Sequence, residues 1–86
     1  MSAPITKDQD IKMLVSVLFD KRGKIALSPK EVAEIIGVSE STLEKDRAEN
    51  IGIPYTRVNG KQKGKPLYTL TAIAKTLIDN EIKIFN

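Results

Sequence analysis

The chain has 86 residues, of which 41% are hydrophobic and 29% are charged, and its formal net charge is +3. That length suits one small domain with a single modest core, and it excludes a two-domain protein. Cysteine and histidine are both absent, which removes disulfides, nearly every zinc, iron or copper site, and most nucleophile–base pairs of enzymes.

A first helix is predicted over residues 7–20, with Thr6 as its cap. Met13 and Val17 widen the apolar stripe of this helix, so the helix is expected to be buried on more than one side or to cover a protein partner. A short strand is predicted to follow over residues 24–27. The residues of the stripe itself recur at helical intervals: Ile11, Leu14, Val15, Leu18 and Phe19.

Two short helices joined by a tight turn are predicted over residues 28–50. Ser28 and Glu31 form a capping box at the start of the first, with proline at the first helical position. Gly37 can adopt the positive φ that ends a helix, and Ser39 caps the second helix. This order is typical of a helix-turn-helix, whose second helix enters the major groove of DNA. An ordinary αα-hairpin is the alternative that this segment leaves open.

The faces of the second helix, residues 40–49, follow from a rotation of about 100° per residue. With Leu43 in the core, Ser41 and Lys45 lie on the opposite face, where Lys45 is a suitable donor to guanine. Arg47 lies nearer the inward side, where we expect it to pair with a carboxylate or to reach a phosphate. The candidate DNA-binding residues of this recognition helix are Ser39, Ser41, Thr42, Lys45 and Arg47. Simple solvation of the first helical turn is the alternative for Ser41 and Thr42.

Three glutamates in the same helix oppose DNA binding. Glu40 is explained by the positive end of the helix dipole, whereas Glu44 and Glu49 would lie near phosphates and lower the affinity, unless they accept from cytosine or hold a lysine. Binding by an isolated monomer is therefore expected to be weak, with a homo-oligomer or cooperative assembly on DNA, or further cations, supplying the rest.

Further cations follow in a β-hairpin that is predicted over residues 55–69. Two β-prone segments flank turn residues that include Gly60 and Gly64. Five basic residues and no acidic residue lie between Asn50 and Ile78, whereas the rest of the chain has nine basic and eleven acidic residues. A basic hairpin beside a helix-turn-helix acts as a wing on phosphates or in the minor groove; a solvated lysine-rich loop is the alternative. The candidate DNA-binding residues of the wing are Arg57, Asn59, Lys61, Lys63 and Lys65.

The last helix is predicted over residues 71–80, with Thr71 as its cap. Residues 82–86 fit either a helix or a strand. The predicted fold class is α+β and mainly helical: a winged helix-turn-helix with one β-hairpin wing and an added N-terminal helix. Residues 6–86 are expected to form the single domain, after a flexible tail over residues 1–5.

A series of short motifs runs from the first of the two central helices through the predicted hairpin. It comprises Glu31, Ala33, Gly37-Val38-Ser39, Ser41-Thr42-Leu43, Lys45, Gly52-Ile53-Pro54-Tyr55, Arg57-Val58 and Tyr68. With these motifs, residues 27–77 resemble the MerR-like winged-helix domains of phage and plasmid excisionases and AlpA-like regulators. The resemblance implies sequence-specific binding of double-stranded DNA in DNA recombination or transcription regulation. It does not explain the first helix, for which an integrase or another protein is a candidate partner.

Other functions share parts of this pattern. DNA-binding domains of phage terminase small subunits have a similar layout, which would imply DNA packaging, and a winged-helix protein–protein interaction module is the alternative from another class. An enzyme is not expected, and neither is a metal or a cofactor. The longest apolar run is much shorter than the roughly 20 residues that cross a bilayer, and the first ten residues lack the pattern of a secretory signal. We therefore expect a cytoplasmic, nucleoid-associated protein without membrane contact.

Overall fold

The computed structural model describes residues 7–57 and 64–80. The predicted tail over residues 1–5, the cap at Thr6 and the ending over residues 82–86 lie outside these ranges. This part of the chain is an α+β domain that is mainly helical, with four helices and a three-stranded antiparallel sheet. Its elements are α1 (Lys7–Arg22), β1 (Ala26–Leu27), α2 (Pro29–Ile36), α3 (Glu40–Ala48), β2 (Thr56–Arg57), β3 (Pro66–Thr69) and α4 (Leu70–Asp79).

Helices α2 and α3 begin and end at the caps that the sequence predicts. Ser28 Oγ accepts a hydrogen bond from the Glu31 N–H at 3.2 Å, and the Glu31 carboxylate accepts one from the Ser28 N–H at 3.3 Å. Gly37 ends α2 with a φ of 76°, in the left-handed region that favours glycine. Ser39 Oγ accepts from the Thr42 N–H at 3.1 Å and starts α3. The predicted capping box, glycine turn and second cap are confirmed.

Strand β3 is the centre of the sheet, with β1 on one side and β2 on the other. Strands β2 and β3 are antiparallel, and Arg57 is paired with Pro66. They lie within the hairpin that is predicted over residues 55–69, although residues 58–63 between them are outside the described ranges. The predicted strand over residues 24–27 is present at its second half, and β1 pairs with the end of β3.

The core lies between α2, α3, α4 and the sheet. Leu43 is 3% exposed, which confirms that α3 turns this residue inward. Helix α1 adds only Leu18 to the fully buried set among the described residues, and it packs against α4. An ion pair of 3.6 Å between Lys7 and Asp79 places the start of α1 beside the end of α4. The buried apolar residues are Leu18, Leu27, Val32, Ala33, Leu43, Ile53, Tyr68, Leu70, Ile73 and Ala74.

The helix ends differ from the prediction in two places. Helix α1 continues to Arg22, and the N–H of Gly23 then donates to the carbonyl of Phe19 at 2.7 Å. The predicted cap at Thr71 is wrong, because Thr69 caps α4 and accepts from the Ala72 N–H at 3.0 Å. Strand β3 therefore passes into α4 without a loop. No helix in the described ranges has the length and apolar character needed to cross a membrane.

The pKa of Glu31 lies below the usual value for glutamate. The main cause is the Lys24 ammonium, which donates to both carboxylate oxygens at 3.2 and 3.3 Å, followed by the N–H of Ser28. A lowered folded-state pKa stabilises the fold above the unfolded pKa, and this contribution disappears as the pH falls through the folded-state pKa. The capping box of α2 is thus sensitive to acid.

We expect Glu31→Gln to lower the free energy of unfolding by about 0.5 kcal/mol at pH 7, a small value because Lys24 is exposed and solvent screens the pair. This deficit should shrink as the pH falls from about 4.3, the usual glutamate pKa, through the folded-state value. Urea unfolding of both proteins at neutral and acidic pH measures it. The control is Glu44→Gln, at an exposed residue that has no ion pair in the described ranges. A deficit that grows in acid would contradict the argument.

Candidate nucleic-acid interface

Helix α3 has a polar face opposite the buried Leu43. Ser41 and Lys45 are two residues to either side of Leu43, so both point away from the core, and both are exposed. Neither side chain has a hydrogen bond or an ion pair with another residue of the described ranges. These two side chains are therefore available to a ligand that approaches the outer face of α3.

Ser39 and Thr42 hold the start of α3 together. Besides its capping bond, Ser39 Oγ lies 2.9 Å from Thr42 Oγ1, so the two exposed hydroxyls bond to each other. Free N–H groups and the positive end of the helix dipole also favour anions at this position. Both residues were predicted to contact DNA; the structure shows that they stabilise the start of α3.

Arg47 lies beside two tyrosines. Its Nη1 donates to the hydroxyl of Tyr68 at 2.7 Å, and its guanidinium carbon is 5.9 Å from the centre of the Tyr55 ring and 6.0 Å from that of Tyr68. The sequence predicted either a carboxylate or a phosphate as the partner of Arg47. In the described ranges the partner is a tyrosine hydroxyl, and the contact joins α3 to β3.

Arg57 lies against the same tyrosine from the hairpin. Its guanidinium carbon is 5.3 Å from the centre of the Tyr55 ring, and its Nη1 donates to the carbonyl of Gly64 at 2.9 Å. All three arginine–ring distances are within the range of cation–π attraction. We call Arg47, Tyr55, Arg57 and Tyr68 the arginine–tyrosine cluster.

An open concavity of about 330 Å³ lies between α3 and the hairpin, and every member of the cluster except the buried Tyr68 lines it. It brings together Arg47 from α3 and Arg57 from β2, two of the predicted DNA-binding residues. Glu44 also lines the concavity and is its one acidic residue in the described part of the chain. The full lining is Glu44, Arg47, Ala48, Tyr55, Arg57 and Pro66.

The remaining predicted wing residues are only partly covered by the structure. Lys65 is exposed immediately before β3. Asn59, Lys61 and Lys63 lie outside the described residues. Within residues 7–57 and 64–80, no group of three or more acidic residues is arranged to hold a metal ion.

Sequence reasoning missed the role of the two tyrosines. Tyr55 and Tyr68 were treated as β-prone residues and as parts of a motif, without a partner. Tyr55 and Arg57 are two positions apart, which places both on one face of an extended segment. That spacing could have indicated the contact between Tyr55 and Arg57. Arg47 and Tyr68 are 21 positions apart in the sequence, so no local pattern indicates their contact.

Comparison with protein-family models, curated proteins and solved structures returned no match for this chain. The resemblance to excisionase-like domains therefore stays a hypothesis. The exposed face of α3 and the arginine–tyrosine cluster are the features from which function has to be argued.

We expect Tyr68→Phe to lower the free energy of unfolding by about 1–1.5 kcal/mol, because the ring stays buried while Arg47 loses its acceptor. The matched control is Tyr55→Phe, since the Tyr55 hydroxyl has no hydrogen bond within the described residues, and it should cost much less. Urea unfolding followed by circular dichroism measures both. Equal losses for the two variants would show that the hydroxyl of Tyr68 has no special role.

Proposed function

We propose that the protein is a winged helix-turn-helix that binds double-stranded DNA in a sequence-specific way. In this proposal α3 enters the major groove, and the hairpin of β2 and β3 contacts phosphates or the adjacent minor groove. The observation that carries it is the position of two arginines, Arg47 and Arg57, in one concavity beside the unpaired Ser41 and Lys45 of α3.

The outer face of α3 would read the bases. Lys45 is the cation of α3 that points away from the core, and it has no partner in the described ranges, so its ammonium can reach guanine O6 and N7. Ser41 lies on the same face and can donate or accept. Ser39 and Thr42, at the start of α3, would contact a phosphate through the helix N-terminus.

The arginine–tyrosine cluster would bind the backbone. A guanidinium has five N–H donors, and within the described residues the hydrogen bonds of Arg47 and Arg57 use one donor each. The remaining donors can meet phosphate oxygens without loss of the contacts to Tyr68 and to Gly64. Because those contacts hold both side chains before DNA arrives, less side-chain entropy is lost on binding.

The distribution of charge also supports contact between the hairpin and DNA phosphates. All five charged residues between Asn50 and Ile78 are basic, including the exposed Lys65 beside the hairpin. Glu44 opposes it, since this acid lines the same concavity as the arginines. We therefore propose modest affinity for a single chain, increased by assembly of several chains on DNA.

The biological setting follows only from this proposed activity. Site-specific binding suits an excisionase-like or AlpA-like regulator of recombination or transcription in a phage or mobile element, and such a protein would act at the nucleoid in the cytoplasm. A packaging protein of the terminase small-subunit type would use the same contacts. A protein-interaction module is the second candidate, and the exposure of Met13 and Val17 on α1 favours it.

We expect binding to double-stranded DNA to weaken strongly with salt. If three or four cations of the hairpin and cluster each neutralise a phosphate, the logarithm of the binding constant should fall against the logarithm of salt concentration with a slope of about −3 to −4. Fluorescence anisotropy with labelled duplexes at several salt concentrations measures the slope. Absence of binding at low salt, even at high protein concentration, would favour the interaction module.

A further prediction distinguishes the role of α3 in DNA binding from that of the hairpin. Lys45→Ala should reduce the affinity for a duplex selected from a random library by about 1–3 kcal/mol and leave the affinity for a random duplex nearly unchanged. Lys65→Ala should weaken both duplexes alike and reduce the salt slope by about one unit. Lys12→Ala, on α1, is the control for loss of one positive charge. Equal loss on both duplexes for Lys45→Ala would show that α3 does not read bases.

A further inference from the structure

Helix α1 leaves part of its apolar surface in solvent. Met13 is 62% exposed and Val17 is 48% exposed, although Leu18 on the inner side is 3% exposed. At about 100° per residue, both lie on one flank of the helix together with Asp10, Leu14 and Lys21. We call these five residues the α1 stripe.

A groove continues this apolar surface onto two other helices. It has a volume of about 620 Å³ and lies between α1, α2 and α4. Val17 and Leu14 form its α1 wall, and Ile35 of α2 and Leu77 of α4 face them. Apolar residues of three helices therefore adjoin the exposed flank of α1, and the ion pair of 3.5 Å between Arg22 and Glu34 also lines this groove.

The charges of the α1 stripe indicate which kind of partner can bind to it. Asp10 lies at one end of the stripe and Lys21 at the other, eleven positions apart, and neither has an ion pair within the described residues. The point midway between Asp10 and Lys21 is also midway between Leu14 and Val17. In two α1 helices related by a two-fold axis through that point, residues of opposite charge would face each other at the ends. Apolar residues would face each other at the centre.

We propose that the α1 stripe binds a second copy of this chain, with the two α1 helices antiparallel. Asp10 then faces the partner's Lys21, and Leu14 faces the partner's Val17. Each contact occurs twice, as in every two-fold symmetric interface. A parallel pair would place Asp10 beside the partner's Asp10, and like charges on neighbouring helical positions repel.

The interface would be small. Helix α1 has 16 residues and is about 24 Å long, so one helix pair with the adjoining groove falls at the low end of specific interfaces. We therefore expect a reversible dimer in the micromolar range or weaker. The α1 stripe shares no residue with the candidate nucleic-acid interface, and the proposal can be tested without DNA.

The first test is sedimentation velocity of the full chain from micromolar to millimolar concentration. We expect a monomer–dimer equilibrium that Val17→Lys or Met13→Lys abolishes, because either change places a charge against the partner's apolar residues. Phe19→Lys is the matched control, since Phe19 is 46% exposed, nearly as much as Val17, and lies on the opposite flank of α1. Circular dichroism checks that each variant is folded. A chain that is monomeric throughout, or a dimer that survives both stripe variants, would overturn the proposal.

The second test distinguishes the antiparallel arrangement from any other. Asp10→Lys and Lys21→Asp should each weaken the dimer about tenfold, because each turns two attractive pairs into two repulsive ones. The double variant restores opposite charges and should return to near the parent affinity. Asp8→Lys makes the same change of net charge as Asp10→Lys in the same helical turn, on the opposite side of α1, and serves as control. Failure of the double variant to recover would rule out the antiparallel pairing.

Discussion

The hydrogen bond between Arg47 and the Tyr68 hydroxyl joins the two halves of the candidate interface. Tyr68 is 1% exposed and lies on the central strand of the sheet, opposite Leu27. A buried phenol needs a partner for its hydroxyl, since an unpaired polar group in a core is costly. Arg47 supplies that partner from α3, and no buried side-chain nitrogen or oxygen in the described ranges is left unpaired. The position of α3 against the hairpin depends on this contact.

The same guanidinium has a structural and an electrostatic consequence. Packing against Tyr55 and Tyr68 keeps the charge of Arg47 at the boundary between core and solvent, where its field acts on the concavity. Arg57 adds a second charge from the opposite wall. Glu44 reduces the resulting potential, so the site combines a fixed geometry with a moderate attraction for anions. In the proposed function, selectivity would therefore come from the outer face of α3 more than from charge alone.

Sequence reasoning succeeded where structure is determined locally. The capping box at Ser28, the turn at Gly37 and the inward Leu43 depend on neighbours within four residues, and all three are confirmed. The cap of α4 was missed because Thr69 and Thr71 are equally good caps, and the choice depends on where β3 stops. The partner of Arg47 was missed because that contact joins residues distant in sequence. The winged helix-turn-helix assignment itself stays a prediction.

The absence of a loop between β3 and α4 has a mechanical consequence. Thr69 is both the last residue of the strand and the cap of the helix, and the N–H of Leu70 is held by the carbonyl of Ile25 at 3.0 Å. A shift of the hairpin would therefore be passed to α4 as a tilt, and from α4 to α1, which packs along it. Occupancy at the hairpin and association through α1 would then be energetically linked, and such linkage acts with equal strength in both directions.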